Sequence, residues 1–242
     1  MGHIDFRCIQ KTMKKVAIVQ SNYIPWKGYF DMIAAVDEFI LYDDVQFTKN
    51  DWRNRNLIKT PSGLTWLSVP VGKNIGRLIR EVEIKDTSWQ VKHWSSIYHA
   101  YKRAPHFDEI ASGLESLYLE QEYSNLSRLN RTLIEFLCAR LNIRTKISDS
   151  LDYESSTGKT ERLISLCEQA GGSEYFSGPS AKNYLDVDAF ARAGISLKWI
   201  EYSGYPKYPQ LWGNFEPAVS VIDLLFNTGS GAAKYMKHVS HA

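Results

Sequence analysis

The apolar positions of the chain switch between two periods. KKVAIVQ at 14–20 is a continuous β-branched run, the pattern of a buried strand, and it ends in the polar, proline-bearing turn SNYIP. GYFDMIAAVD at 28–37 puts Phe30, Ile33, Ala34 and Val36 near helical spacing and predicts a short helix. EFILYDD at 38–44 predicts a second strand that ends on two aspartates. Strand, loop, helix and strand in this order predict a right-handed parallel βαβ unit.

Residues 45–63 are polar, aromatic and basic with little periodicity. They read as a long loop after a strand, where α/β proteins hold ligands. LTWLSVPV (64–71) and LIREVEI (78–84) predict two more strands, joined by the glycine-containing GKNIGR as a hairpin. From Ser88 to Leu141 the pattern predicts three helices. The third carries Leu126, Leu129, Leu133, Ile134, Leu137 and Leu141 on one face, with Ser124 as its N-cap. IRTKIS (143–148) predicts a strand, and a helix follows from Thr160 to Ala170, closed by Gly171 and Gly172. Beyond it come a strand (SEYFSGP), a helix (YLDVDAFARAGI), a strand (SLKWIEYS), a Pro- and Tyr-rich loop and a helix (AVSVIDLLFN).

This alternation predicts an α/β fold with a mostly parallel, Rossmann-like sheet. The expected organisation is an N-terminal α/β part with ligand loops (14–87), a helical insertion or lid (88–142), and a C-terminal α/β part (143–238) completing the same domain. The first 13 residues end on a second methionine and precede the first strand. They are expected to be an upstream start or an appended segment.

Composition narrows the function classes. Among 242 residues, 44% are hydrophobic and 23% charged, which suits a globular protein able to bury a full core. A net charge of +2 is too mild to point to nucleic acid. No apolar run reaches 18 residues, so no membrane span is expected. Three cysteines without close spacing make neither a disulfide framework nor a zinc signature. Cys138 and Cys167 fall in apolar helical patterns and read as core thiols; Cys8 lies in the leader. Reduced cysteines suit a cytoplasmic location.

Four segments carry candidate chemistry. QSNYIPWKGYFD (20–31) couples a strand end to a helix start, whose free backbone N–H groups favour an anion. Gln20, Asn22, Tyr23, Trp26, Lys27 and Gly28 are its candidates, or the segment is only a tight turn. In YDDVQFTKNDWRNRN (42–56), Asp43 or Asp44 would accept a proton or hold a cation. Neighbouring strand residues face opposite sides, so one of the two is expected in a pocket. Gln46, Trp52, Arg53, Asn54, Arg55 and Asn56 form a polar set suited to phosphate or carboxylate, or else a solvated loop. ESSTGKTER (154–162) resembles a phosphate cradle with Lys159 and Thr160, though a P-loop needs a glycine where Tyr153 stands. An ordinary helix cap explains it equally. YFSGPSAKNYL (175–185) offers Ser177 and Lys182 at a strand end, or only a turn. His93 and His99 are six residues apart, off metal spacing, and read as structural, as does His106. No GxSxG elbow or GxGxxG loop occurs.

The string IVQSNYIPWKGYFDMIAAVDEFILYDDVQFTKNDWRNRNLIK, followed by WLSVPV, resembles the opening signature of WbqC-like proteins. KTERLISLCEQAGGSEYFSGPSAKNYLD and FEPAVSVIDLLFNTG are similar to later parts of that family. The resemblance implies a place among bacterial O-antigen and related surface-polysaccharide gene sets, and a transferase role. A weaker likeness is to HxGH nucleotidyltransferases such as pantothenate synthetase. Gly28 and Tyr29 would stand where that motif has Gly-His, VQF at 45–47 and SST at 155–157 resemble further segments, and the motif's histidines are absent.

The expected function is attachment of glycine or another aminoacyl or acyl group to the amine of a nucleotide-linked amino sugar. ATP and Mg²⁺ would activate the carboxylate, or an already activated donor would replace them. Lys27, Asp43 and Asp44 are the catalytic candidates. The alternative is a non-catalytic sugar-nucleotide or glycan-binding protein, suited by loop aromatics such as Trp66, Tyr205, Tyr208 and Trp212.

Overall fold

The computed structural model describes residues 13–74, 76–86 and 88–240, so the reading of Cys8 lies outside the described residues. The strands are β1 (Lys15–Val19), β2 (Glu38–Leu41), β3 (Arg55–Thr60), β4 (Gly63–Ser68), β5 (Lys146–Asp149), β6 (Glu174–Ser177) and β7 (Ser196–Trp199). The helices are α1 (Lys27–Ala34), α2 (Ser88–Tyr101), α3 (Phe107–Leu119), α4 (Leu126–Arg140), α5 (Thr160–Gln169), α6 (Val187–Arg192) and α7 (Val221–Thr228).

Five strands form one sheet in the order β5-β2-β1-β6-β7, and every neighbouring pair is parallel. The chain winds outward from β1 first one way and then the other. Its direction therefore reverses between β1 and β6, and in such sheets ligands settle beyond the strand carboxyl ends at that reversal.

Side chains of a strand alternate between faces, and the two faces bury different layers. Val16, Ile18, Ile40 and Tyr175 pack with Leu163, Leu166 and Cys167 of α5 and Phe190 of α6. Ala17, Phe39 and Leu41 face a larger core with Phe30 and Ile33 of α1, Leu133 and Leu137 of α4, and Leu224 and Leu225 of α7. Trp89 and Ile97 of α2 and Leu114 of α3 run into that same core, so the 88–142 helices are packed onto the α1 side. Burial pushes the Cys138 and Cys167 thiols up to about 12, in keeping with core residues. Among the described residues, no helix is long and apolar enough to cross a membrane.

Three local expectations change. The hairpin is β3–β4, antiparallel from Arg55↔Ser68 to Thr60↔Gly63; β4 falls on the strand read at 64–71, and β3 lies inside the stretch read as loop. Its inward positions are Asn56 and Ile58, and a polar residue at one of them hides the period of two. Residues 78–84 form no strand, because the Glu81 carboxylate accepts the Leu78 N–H at 2.9 Å and folds the chain into a 3-10 turn at Ile79–Glu81. The cap of α4 is Asn125, one residue after Ser124. Its side chain accepts from Arg128 N at 3.0 Å, while the Ser124 carbonyl is taken by Ile84 N.

Helix α1 is buried from Lys27 to Ile33. Its Asp31, fully buried, accepts the backbone N–H of Lys237 (3.0 and 2.9 Å) and of His238 (2.9 Å). The C-terminal segment is thereby latched to the first helix.

Candidate functional site

Between β1 and α1 the chain makes a strained bend at Ile24, with φ +34°. Asn56 of the hairpin holds it there by donating to the carbonyls of Tyr23 (3.2 Å) and Ile24 (2.9 Å). Tyr23 N also donates to Trp52 O at 2.9 Å, and Val221 N to Pro25 O at 2.8 Å. The loop so fixed presents Asn22, Pro25 and Trp26 to a cleft of about 500 Å³. Trp52, Asn56, Tyr202, Pro217 and Ala218 complete its lining. The volume suits a small ligand, and apolar walls with a few polar groups are the usual composition of such sites.

Trp26 is set by its neighbours. Its ring lies 5.2 Å from that of Tyr202 and 6.1 Å from that of Tyr205, both edge-to-face. A Cβ on Gly28 would sit 2.3 Å from the Trp26 ring, so the glycine makes room for the indole. Gly28→Ala is therefore expected to push Trp26 off its seat and cost about 1–3 kcal/mol by overpacking. A lowered melting temperature with a changed near-UV circular dichroism would record it; unchanged spectra would refute it.

Two arginines stand beside the cleft. Arg53 Nη1 donates to Asn22 Oδ1 at 3.3 Å and lies 3.5 Å from Asp51 Oδ2. The Arg55 guanidinium covers the Trp66 ring at 4.2 Å, and Trp66 lies 5.6 Å from Trp52. The buried Nε of each arginine has no hydrogen-bond partner among the described residues.

The other candidates lie elsewhere. Lys27 is buried, donates to the carbonyls of Pro206 (3.3 Å) and Tyr235 (3.2 Å), and lies over the rings of Tyr205 and Tyr208. Burial lowers its ammonium to about 8. Its charge secures the C-terminal loops to α1. Asp43 accepts Ser21 N at 2.8 Å and the Ser127 hydroxyl, tying the β1 loop to the start of α4; burial raises its carboxyl. Asp44 accepts the Ser150 hydroxyl at 2.7 Å and pairs with Arg162 of α5. Each oxygen of the two aspartates thus already accepts one hydrogen bond from the chain.

Tyr23 is fully buried and hydrogen-bonds His93 Nδ1 at 2.8 Å and the Tyr118 hydroxyl; burial holds His93 down at about 4, so it is neutral. Asn54 is buried and donates to Val69 O at 3.1 Å. The Gln20 carbonyl accepts the Tyr29 hydroxyl at 3.0 Å, and Gln46 is an exposed bridge partner of Leu78. Lys159 is exposed at the start of α5, and Thr160 is buried beside Asp186. Ser177 is buried at the end of β6, and exposed Lys182 lies 5.6 Å from the Trp199 ring.

Of the candidates, the structure brings together Asn22, Trp26, Trp52 and Asn56 in the cleft, with Arg53 and Arg55 beside it. Lys27, Arg53 and Lys159 do not meet in one anion-receiving group. Pro25, Tyr202, Pro217 and Ala218 were not singled out by spacing, because loop residues carry no period; the crowding of aromatics at 202–208 is the one available signal. Among the described residues no cluster of His, Cys, Asp and Glu is arranged for a metal ion.

The WbqC-like protein family profile matches residues 20–235. An uncharacterized Mycobacterium tuberculosis protein (strain ATCC 25618 / H37Rv), Rv1507c, is 55% identical over 229 residues, which cover 93% of this chain and 99% of that protein. No solved structure matches the chain significantly. The profile match spans the cleft-forming loop, the hairpin and all seven α-helices, and so the chain belongs to the WbqC-like protein family.

Proposed function

We propose that the chain binds a nucleotide-linked amino sugar in the Trp26–Trp52–Tyr202 cleft and attaches an acyl or aminoacyl group, glycine among them, to the sugar amine, in bacterial surface-polysaccharide synthesis. The observation that carries this reading is an aromatic-walled cleft of about 500 Å³ with two arginines beside it. Aromatic faces take the apolar faces of sugar rings, Asn22 offers hydrogen bonds, and guanidiniums match phosphate. The family resemblance supplies the amino-sugar setting. In the reaction a C–N bond forms at the acyl carbonyl, the amine gives up a proton, and the donor's leaving group departs. Either an already activated donor or a carboxylate activated by ATP would supply the acyl group; the activated donor asks the least of Asp43 and Asp44, which the chain already holds.

The test is calorimetry with UDP- and dTDP-linked amino sugars, followed by mass spectrometry after adding an acyl- or aminoacyl-thioester, or glycine with ATP. Binding and a mass gain on the sugar are expected. Absence of binding across the panel would remove the reading. Binding without any mass gain would select a second one, a non-catalytic sugar-nucleotide-binding protein. That reading is favoured by one observation: both aspartates are consumed by internal hydrogen bonds and an ion pair.

A further inference from the structure

The outer face of the β3–β4 hairpin carries an unusual strip. The register Arg55↔Ser68, Leu57↔Trp66 and Lys59↔Leu64 puts Arg55, Leu57, Leu64 and Trp66 on one side, away from inward Asn56 and Ile58. Leu64 is 46% exposed and Trp66 43%, and Trp52, also 43% exposed, joins this strip to the cleft it lines. Large exposed aromatics held in contact mark binding surfaces rather than chance exposure.

Charge follows the same path. Arg53 meets the cleft at Asn22, Arg55 covers part of Trp66, and Trp66 reaches the cleft wall through Trp52, 5.6 Å away. A nucleotide sugar offers parts that suit these three features: a sugar, a diphosphate and a base. A neutral oligosaccharide has no anion between its rings to meet Arg55, and would leave Arg53 with Asp51 at 3.5 Å as its anionic neighbour.

We infer that Trp66, with Arg55 stacked on it, is a nucleobase subsite. The pyranose fills the Trp26–Trp52–Tyr202 cleft, the diphosphate lies against Arg53 and Arg55, and the base stacks on the uncovered part of the Trp66 indole. This rests on the sugar-nucleotide reading and adds which end of the ligand goes where.

Calorimetry on the whole protein and its Trp66→Ala and Trp66→Phe variants would compare three ligand types: UDP- and dTDP-linked N-acetylhexosamines, UDP and dTDP, and N-acetylglucosamine 1-phosphate. Trp66→Ala is expected to weaken both nucleotide-bearing types by about tenfold or more, the size of one base–aromatic stack. Trp66→Phe should restore most of that, the sugar phosphate should bind unchanged, and the melting temperature should hold because the indole is exposed. Equal weakening of all three ligands, or of none, overturns the subsite while the cleft reading stands. Loss of a dimer in ultracentrifugation with unchanged nucleotide affinity assigns Trp66 to a second copy and also overturns it. If the unaltered protein binds none of the probes, the sugar-nucleotide reading fails, and the subsite with it.

Discussion

Replacing Asp223 by alanine is expected to lower the unfolding free energy by about 4 kcal/mol, since each buried partner left unsatisfied costs about 1–3 kcal/mol. The carboxylate is fully buried on α7 and accepts from the Tyr101 hydroxyl (3.0 Å), the Tyr208 hydroxyl (2.9 Å) and Gln210 Nε2 (2.8 Å). Gln210 in turn accepts from Lys59 Nζ (2.9 Å) and Glu216 N (2.8 Å). Asp223 therefore anchors the 208–216 loop, whose two ends lead to Tyr202 and to Pro217 and Ala218 of the cleft. For a chain of this size 4 kcal/mol corresponds to about 8–16 °C in melting temperature. Asp223→Asn should cost less, since its carbonyl still accepts, but its amide would face hydroxyl donors. Scanning calorimetry decides the matter: an alanine variant melting within about 2 °C of the parent would show that the network has little weight.

Glu38 makes the second large prediction, and its dependence on pH is opposite to that of Asp223. It opens β2, fully buried, and receives Lys14 Nζ (2.6 Å), Lys146 Nζ (2.9 Å), the Ser148 hydroxyl (2.7 Å) and the Tyr153 hydroxyl. Burial alone would raise this carboxyl. The hydrogen bonds from Lys14, Tyr153, Lys146 and Ser148 outweigh it and bring the group down to about 2. A depressed folded-state value means that the contribution is complete above the ordinary carboxylate range and is lost as pH falls from there through about 2. Burial instead raises Asp223, so its term favours the fold most at low pH and weakens as pH rises through the folded value. Glu38→Gln is expected to cost about 2 kcal/mol at pH 7, the scale of hydrogen bonds to a charged group. Urea unfolding at pH 7, 4 and 2.5 should show the gap between parent and variant shrinking with acid. A gap that stays constant would mean the ion pairs contribute nothing.

The parallel sheet and its helices are legible in the sequence because each is a continuous or periodic apolar run. The inward face of α4 and the strand at Val16–Val19 need no tertiary information. Strand β3 escapes because Asn56 occupies a buried position for the sake of two carbonyls more than thirty residues away. The site is legible in the same degree. Asn22, Trp26 and Trp52 announce themselves as polar and aromatic residues crowded after strand ends. Lys27 stands among them in sequence, yet the atoms its ammonium meets belong to Pro206 and Tyr235, 179 and 208 positions later. Asp44 likewise meets its partner Arg162 across 118 positions. Pairings at such range follow from topology, and spacing along the chain carries no trace of them.

The Asp31 latch has a consequence for synthesis. Its backbone partner Lys237 lies 206 positions further along the chain. At about 5–20 residues per second, the ribosome needs roughly 10–40 s to travel that distance. Through that interval the Asp31 carboxylate lacks the backbone N–H groups of Lys237 and His238, so the first helix gains its last partners only when the C-terminal segment has been made.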